Sequence, residues 1–207
     1  MKNLIIALLL FPFLGVFVGC QTKEDKVKET VEKQLYKNMK NPESLKILSC
    51  IVRSDTVPFY LTEDILDLAN KWREAIEEYS RYDKMGYLWA NEKYESFKKA
   101  SNAKKNLEAA YNIAKENDPK DIETMAYVKS SGTNPMGGVV SNSIIFIIDK
   151  TEPEKIIGSF TVDYDFIALF AAIKTVGENY QFKKNRFGKY ETSDLPYIEQ
   201  FILNDVE

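Results

Sequence analysis

From Thr62 to Asn117 the chain carries no proline and a single glycine, Gly86, in a run dense in Lys, Glu, Ala and aromatic residues. Pro and Gly are the residues that most disfavour a helix interior, so a stretch this long without them favours α-helix. Its apolar residues agree. Ile65, Leu68, Trp72, Ile76 and Tyr79 recur at three- and four-residue spacing, and Tyr94, Phe97, Leu107, Tyr111 and Ala114 do so again further on. One unbroken rod of these 56 residues would reach about 84 Å at 1.5 Å per residue. That is long for a domain of this size, so the pattern predicts a hairpin. Gly86 suits a left-handed cap closing the first arm, and Asn91 with Glu92 behind it can open the second.

On either side of this stretch the period changes. Val27, Val31 and Leu35 lie four residues apart and predict an amphipathic helix over residues 24–40, stopped at Asn41-Pro42. Leu45 to Arg53 is β-branched and continuous, as a covered strand is. After Asp118-Pro119, strands are predicted at Ile122–Ser130, Val139–Asp149 and Lys155–Tyr164, joined by turns at Gly132–Gly138 and around Pro153. A helix capped by Asp165 and closed by Gly177, a short hairpin near 181–190 and a last helix from Leu195 with Pro196 in its first turn complete the chain. The fold class read from this order is α+β: an antiparallel sheet of about four strands flanked by helices, with a helical hairpin inserted at 62–117 between the first two strands. The domain spans 45–207. Because the insertion falls between strands that can pair directly, it is expected to project from the sheet and to be separable from it.

The first residues point to a different environment. Lys2 is followed by an apolar run from Leu4 to Val18, interrupted by Pro12 and Gly15, then by Gly19 and Cys20. A bilayer span needs roughly 20 apolar residues, whereas an export h-region needs 7 to 15, so this run is read as a signal peptide over 1–19. Phe17-Val18-Gly19-Cys20 resembles the lipobox of bacterial lipoproteins, with Phe17 in the place where Leu is usual. The resemblance implies cleavage before Cys20 and acylation of its sulfur and new amino group. Residues 20–44 would then be a lipidated tether and N-terminal helix. Each buried methylene contributes about 0.8 kcal/mol and one chain holds only marginally, so the several chains of a lipoprotein make attachment effectively permanent. Gln21 after the cysteine resembles lipoproteins sorted to the outer membrane, and Lys23-Glu24-Asp25 resembles acidic export signals that carry some of them to the outer face. A charged, solvated tether is the alternative for those three residues. The order helix, Asn41-Pro42-Glu43-Ser44, strand, then Asn134-Pro135-Met136-Gly137-Gly138 before an apolar strand also resembles small uncharacterised envelope proteins, which implies a fold without an activity.

Composition narrows the chemistry. Lys and Arg number 28 against 31 Asp and Glu, a net charge of -3 with no histidine. There is no basic footprint for nucleic acid. His-dependent triads, His metal sites and the commonest general base are all removed. Cys50, set among Ile47, Leu48, Ile51 and Val52, reads as a small hydrophobe rather than a nucleophile. No motif calls for a cofactor or a metal. Gly137-Gly138 lacks the surroundings of a phosphate loop.

Two places are left as candidates. Asp163 and Asp165 flank Tyr164, and paired carboxylates can serve acid–base chemistry or hold Ca²⁺, although helix capping accounts for them more simply. Tyr79, Tyr82, Tyr87 and Trp89 cluster where the two arms run out, with Trp72 below them. Tyr and Trp give contact area at little entropic cost, so Tyr82, Tyr87 and Trp89 are the candidate ligand-binding residues, for a glycan or a protein partner. The alternative is that the rings pack the end of the hairpin. The expectation is a membrane-anchored, non-enzymatic binding module of the bacterial cell envelope, held to the outer membrane by lipid on Cys20. Its rival is a carboxylate-dependent hydrolase or metal enzyme built on Asp163 and Asp165.

Overall fold

The computed structural model describes residues 22–39, 41–134, 136–186 and 189–204. The leader and Cys20 lie outside them, as do Pro135 and the Phe187-Gly188 pair of the 181–190 hairpin. The described residues form, in order, α1 (Lys23–Asn38), β1 (Lys46–Thr56), α2 (Glu63–Met85), α3 (Ala90–Glu116), β2 (Ile122–Thr133), β3 (Val139–Ile148), β4 (Ile156–Val162), α4 (Tyr164–Glu178) and α5 (Tyr197–Leu203). The strands make one antiparallel sheet in the order β1-β2-β3-β4, and β1 pairs directly with β2 across the two helices between them. The fold is α+β, as the alternation of periods predicts.

Register fixes the two faces. Ile51 lies opposite Tyr127, Tyr127 opposite Ile145, and Ile145 opposite Phe160. One face therefore carries Met125, Tyr127, Ile145 and Val162, and the other carries Ala126, Val128, Phe146 and Ile148. Val27, Val31 and Leu35 of α1 cover the second face. Thr22 and Asp25 close a capping box at the start of α1, each side chain accepting the other's backbone N–H at 3.1 Å. On the first face lie α4, α5 and the basal turns of α2 and α3, which bring Ile65, Ala69, Leu107 and Tyr111 into one cluster with Phe170, Ile173, Ile198 and Ile202. The helical insertion is thus a wall of the main core along its lower half, and the expectation that it is separable fails on those four residues.

Three helix ends differ from the sequence reading. Asp163, not Asp165, caps α4: its Oδ1 accepts from the Phe166 backbone N–H at 2.8 Å. The chain leaves β4 at Val162, so the first half-helical residue falls two positions earlier than expected. Gly177 does not close the helix. It sits inside it, and Asn179 takes the left-handed conformation (φ 53°, ψ 32°) instead. A Cβ on Gly177 would lie 2.4 Å from the Tyr111 ring, so this glycine serves close helix approach rather than capping. Pro196 stands just before α5, which starts at Tyr197.

Candidate functional site

The arms of the insertion pack through small residues. Ala69, Ala75, Ser96 and Ala100 are buried along them. Tyr79 meets Phe97 with ring centroids 5.7 Å apart, Lys99 pairs with Glu78 at 2.5 Å, and Lys93 pairs with Asp83. Each contact joins a residue further along α2 to one earlier in α3, so the two helices run antiparallel. Gly86 makes the turn at φ 86°, ψ -168°, a conformation essentially restricted to glycine. It has the positive φ expected of it but not the left-handed cap geometry. Tyr87–Trp89 then form one 3₁₀ turn before α3 begins at Ala90.

That turn is the most exposed apolar surface of the pair. Tyr87 is 88% exposed, Leu88 77%, Met85 48% and Trp89 42%. Of the three residues expected to bind a ligand, Tyr82 and Trp89 come together, with centroids 6.0 Å apart, and Tyr82 is half-buried. Tyr87 stands away from them in solvent. Leu88 and Met85 were missed, although the uninterrupted apolar triplet Tyr87-Leu88-Trp89 beside a turn glycine was a visible signal for an exposed apex. Tyr94 and Phe97, one and two turns into α3, are also more than half exposed.

The apex lies far from the start of α1. Lys23 Nζ donates to the Lys150 carbonyl at 2.6 Å, which places that start at the turn between β3 and β4. Arg73, midway along α2, donates to Asp165 Oδ1 at 2.8 Å, at the opposite end of β4. Beyond Arg73 α2 continues to Met85, a further 18 Å or so at 1.5 Å per residue.

The two carboxylates of the pair are engaged separately. One oxygen of Asp163 is engaged by the α4 backbone and one of Asp165 by Arg73. Among the described residues no group of three or more His, Cys, Asp or Glu could hold a metal ion. Cys50 is half-buried under α1, and burial pushes its thiol above the usual range, away from the reactive thiolate.

A polar cluster that sequence reasoning did not find lies in the main core. Lys174 Nζ is 2.6 Å from Glu178 Oε2 and 3.0 Å from Glu199 Oε1. Tyr60 donates to Glu199 Oε1 and Tyr111 to Glu178 Oε1, each at 2.5 Å. Burial, reinforced by the neighbouring Glu199, raises the Tyr60 hydroxyl far above its ordinary pKa, and burial with the Glu178 hydrogen bond does the same for Tyr111. Both therefore stay protonated donors. Glu199 Oε2 has no hydrogen-bond partner among the described residues. The five side chains come from the β1–α2 connection, α3, α4 and α5, and of their charged groups Glu178 alone reaches solvent. The arrangement ties the base of the insertion to α4 and α5. A lone lysine in the apolar run of α4 was the only sign of it in the sequence.

No described helix is long and apolar enough to cross a membrane. Compared with known protein families, with curated proteins and with solved structures, the chain has no match.

Proposed function

We propose that the chain is a lipid-anchored binding module of the bacterial cell envelope, which engages a partner without catalysis through the apex of the α2–α3 pair. One observation carries the reading: a cluster of large apolar side chains, Met85 with Tyr87, Leu88 and Trp89, stands open to solvent at the far end of a two-helix arm. Solvated apolar surface of this kind is favourable to cover, and Tyr and Trp dominate the energetics of surfaces that do so. The lipobox-like leader supplies the anchor, and Gln21 its assignment to the outer membrane. The start of α1, which would follow Cys20 closely, and the apex lie at opposite ends of the molecule, so an anchored domain would hold the apex away from its membrane.

The test has two arms. Mass spectrometry of the membrane fraction should find Cys20 acylated, and a Cys20→Ser chain should leave that fraction. Tyr82, Tyr87 and Trp89 are replaced singly by Ala, and capture of envelope glycans and proteins is compared with the unaltered chain. At least one replacement should cost more than about 1 kcal/mol of binding. Tyr87→Ala is the cleanest of the three, because so exposed a ring has little to lose in stability. Unchanged capture by all three, with unchanged unfolding, refutes the apex as a binding surface.

A further inference from the structure

Resting on that reading of the apex, we infer that its partner is a second copy of this chain, the two apices overlapping about a two-fold axis. The surface offers both a hollow and a knob. A hollow on the flank of α2 is lined by Ile76, Glu77, Ser80, Arg81, Lys84 and Met85. Leu88, at the tip of the 3₁₀ turn, is the matching knob. Overlapping two apices by about 10 Å, roughly two helical turns, carries Leu88 of each chain to the level of Arg81 in the other. A two-fold contact is isologous, so the same pairing is made twice.

The charges agree with this overlap. The last turns of α2 present Arg81 and Lys84, and the first turns of α3 present Glu92 and Glu95. All four are exposed and take no ion-pair partner among the described residues. Asp83 and Lys93, which lie at the same level, satisfy each other within the chain, and Glu77 stands one turn below Arg81 at the far edge of the hollow. Setting α2 of one copy beside α3 of the other with this overlap brings Lys84 level with Glu92 on both sides of the axis, with Arg81 and Glu95 one turn further along at the partner's tip. Such a mixed, self-cancelling pattern favours a second copy over an anionic membrane surface. The area is sufficient as well. Met85, Tyr87, Leu88, Trp89, Tyr94 and Phe97 together leave on the order of 800 Å² open per chain, about what one partner contributes to a standard interface. Two such arms side by side make four helices, a number that packs around a shared core in four-helix bundles.

The experiment uses the full chain in density-matched detergent, followed by sedimentation equilibrium. The apparent mass should rise from one chain to two with concentration, and Leu88→Ser should weaken association at least about tenfold. Arg81→Glu with Lys84→Glu, and separately Glu92→Lys with Glu95→Lys, should each abolish self-association. Mixed in equal amounts, these two variants should dimerise with each other, because every contact across the axis is then again between opposite charges. Urea unfolding confirms that each variant is folded. A chain monomeric at all concentrations overturns the inference, as does a dimer indifferent to Leu88→Ser or a charge-reversed pair that does not recombine. A monomeric chain whose Tyr87→Ala variant loses capture of another envelope component overturns the dimer while leaving the apex a binding surface. Co-flotation of a monomeric chain with lipid vesicles through Leu88 assigns the apex to a bilayer instead.

Discussion

Replacing Lys174 by Met keeps most of the side chain's volume and removes its charge from the centre of the buried cluster. In the unaltered chain the ammonium lies between Glu178 and Glu199 and is 6% exposed, while Glu199 is 4% exposed. Without it Glu199 retains only the Tyr60 hydroxyl, on Oε1, and Oε2 still has nothing. Breaking a buried pair by removing one member costs about 3–5 kcal/mol, because the remaining charge is left desolvated. Against a typical total of 5–15 kcal/mol that is a large share. Glu199→Gln alone should be milder, about 1–2 kcal/mol, since Lys174 keeps Glu178 and Tyr60 keeps an acceptor oxygen. The double variant carries no charge at position 199 and should recover roughly 2 kcal/mol relative to Lys174→Met. Urea unfolding followed by far-UV circular dichroism measures all three, with the slope confirming that the transition stays two-state. A Lys174→Met cost below about 1 kcal/mol, or a double variant that loses the sum of the two singles, refutes the argument that the cluster is an electrostatically coupled unit.

Gly177→Ala should be strongly destabilising, by about 1–3 kcal/mol or more, because the new Cβ would meet the buried Tyr111 ring at 2.4–2.6 Å and the ring or a helix would have to shift. Gly132→Ala should cost much less in the same urea unfolding, since its one close contact is the free end of the Met39 side chain; equal costs would refute the distinction. Tyr60, Tyr111 and Tyr127 all have folded-state pKa values raised above 10.0, chiefly by burial. The stability they contribute is complete below pH 10 and is lost as pH rises, each ring removing about 1.4 kcal/mol per pH unit once the unfolded chain ionises and the folded one does not. Urea midpoints should therefore fall steeply between about pH 10 and 11.5 and less steeply in Tyr60→Phe; a flat profile there counts against burial of these hydroxyls.

The parts of this fold that were legible in the sequence rest on local rules. A run without proline and with one glycine had to be helix with one break, and Gly86 is where the chain turns. The strands announced themselves by β-branched runs between turn residues, and the first two were read as able to pair directly, which they do. What failed depended on contacts between distant residues. Gly177 looked like a helix stop because the chain locally offers no other use for it, and its reason is the Tyr111 ring on another helix. Asp165 looked like a cap because β4 was expected to run two residues further. The polar cluster joins residues 60, 111, 174, 178 and 199, and apart from Lys174 and Glu178 on one helix no periodicity relates them. The apex aromatics lay between these cases: their presence at a turn was readable, but which ring packs and which stands free is decided by geometry.

That geometry follows from how the arms are built. Along the lower half of the insertion, α4 and the sheet supply a further layer, so Ile65, Leu107 and Tyr111 are buried. Above Arg73 that layer ends, and two helices alone have only the seam between them in which to hide apolar groups. Small residues line it, with Ala75, Ser96 and Ala100 buried there, and this lets the backbones approach closely. The same closeness leaves no room in the seam for large side chains, so Ile76, Tyr94 and Phe97 are set on its flanks and Tyr87 and Leu88 at its end. The exposed surface is therefore a consequence of a two-helix arm longer than the body that supports it. An arm confined to its lower half would bury its apolar residues on α4 and lack the overhang. The distal half adds about 18 Å of helix and contributes little to the main core, yet it carries the largest contiguous run of exposed apolar side chains described in the chain. Solvent exposure of that kind is unfavourable until something covers it, which is the physical reason for seeking the partner at the apex rather than at the sheet.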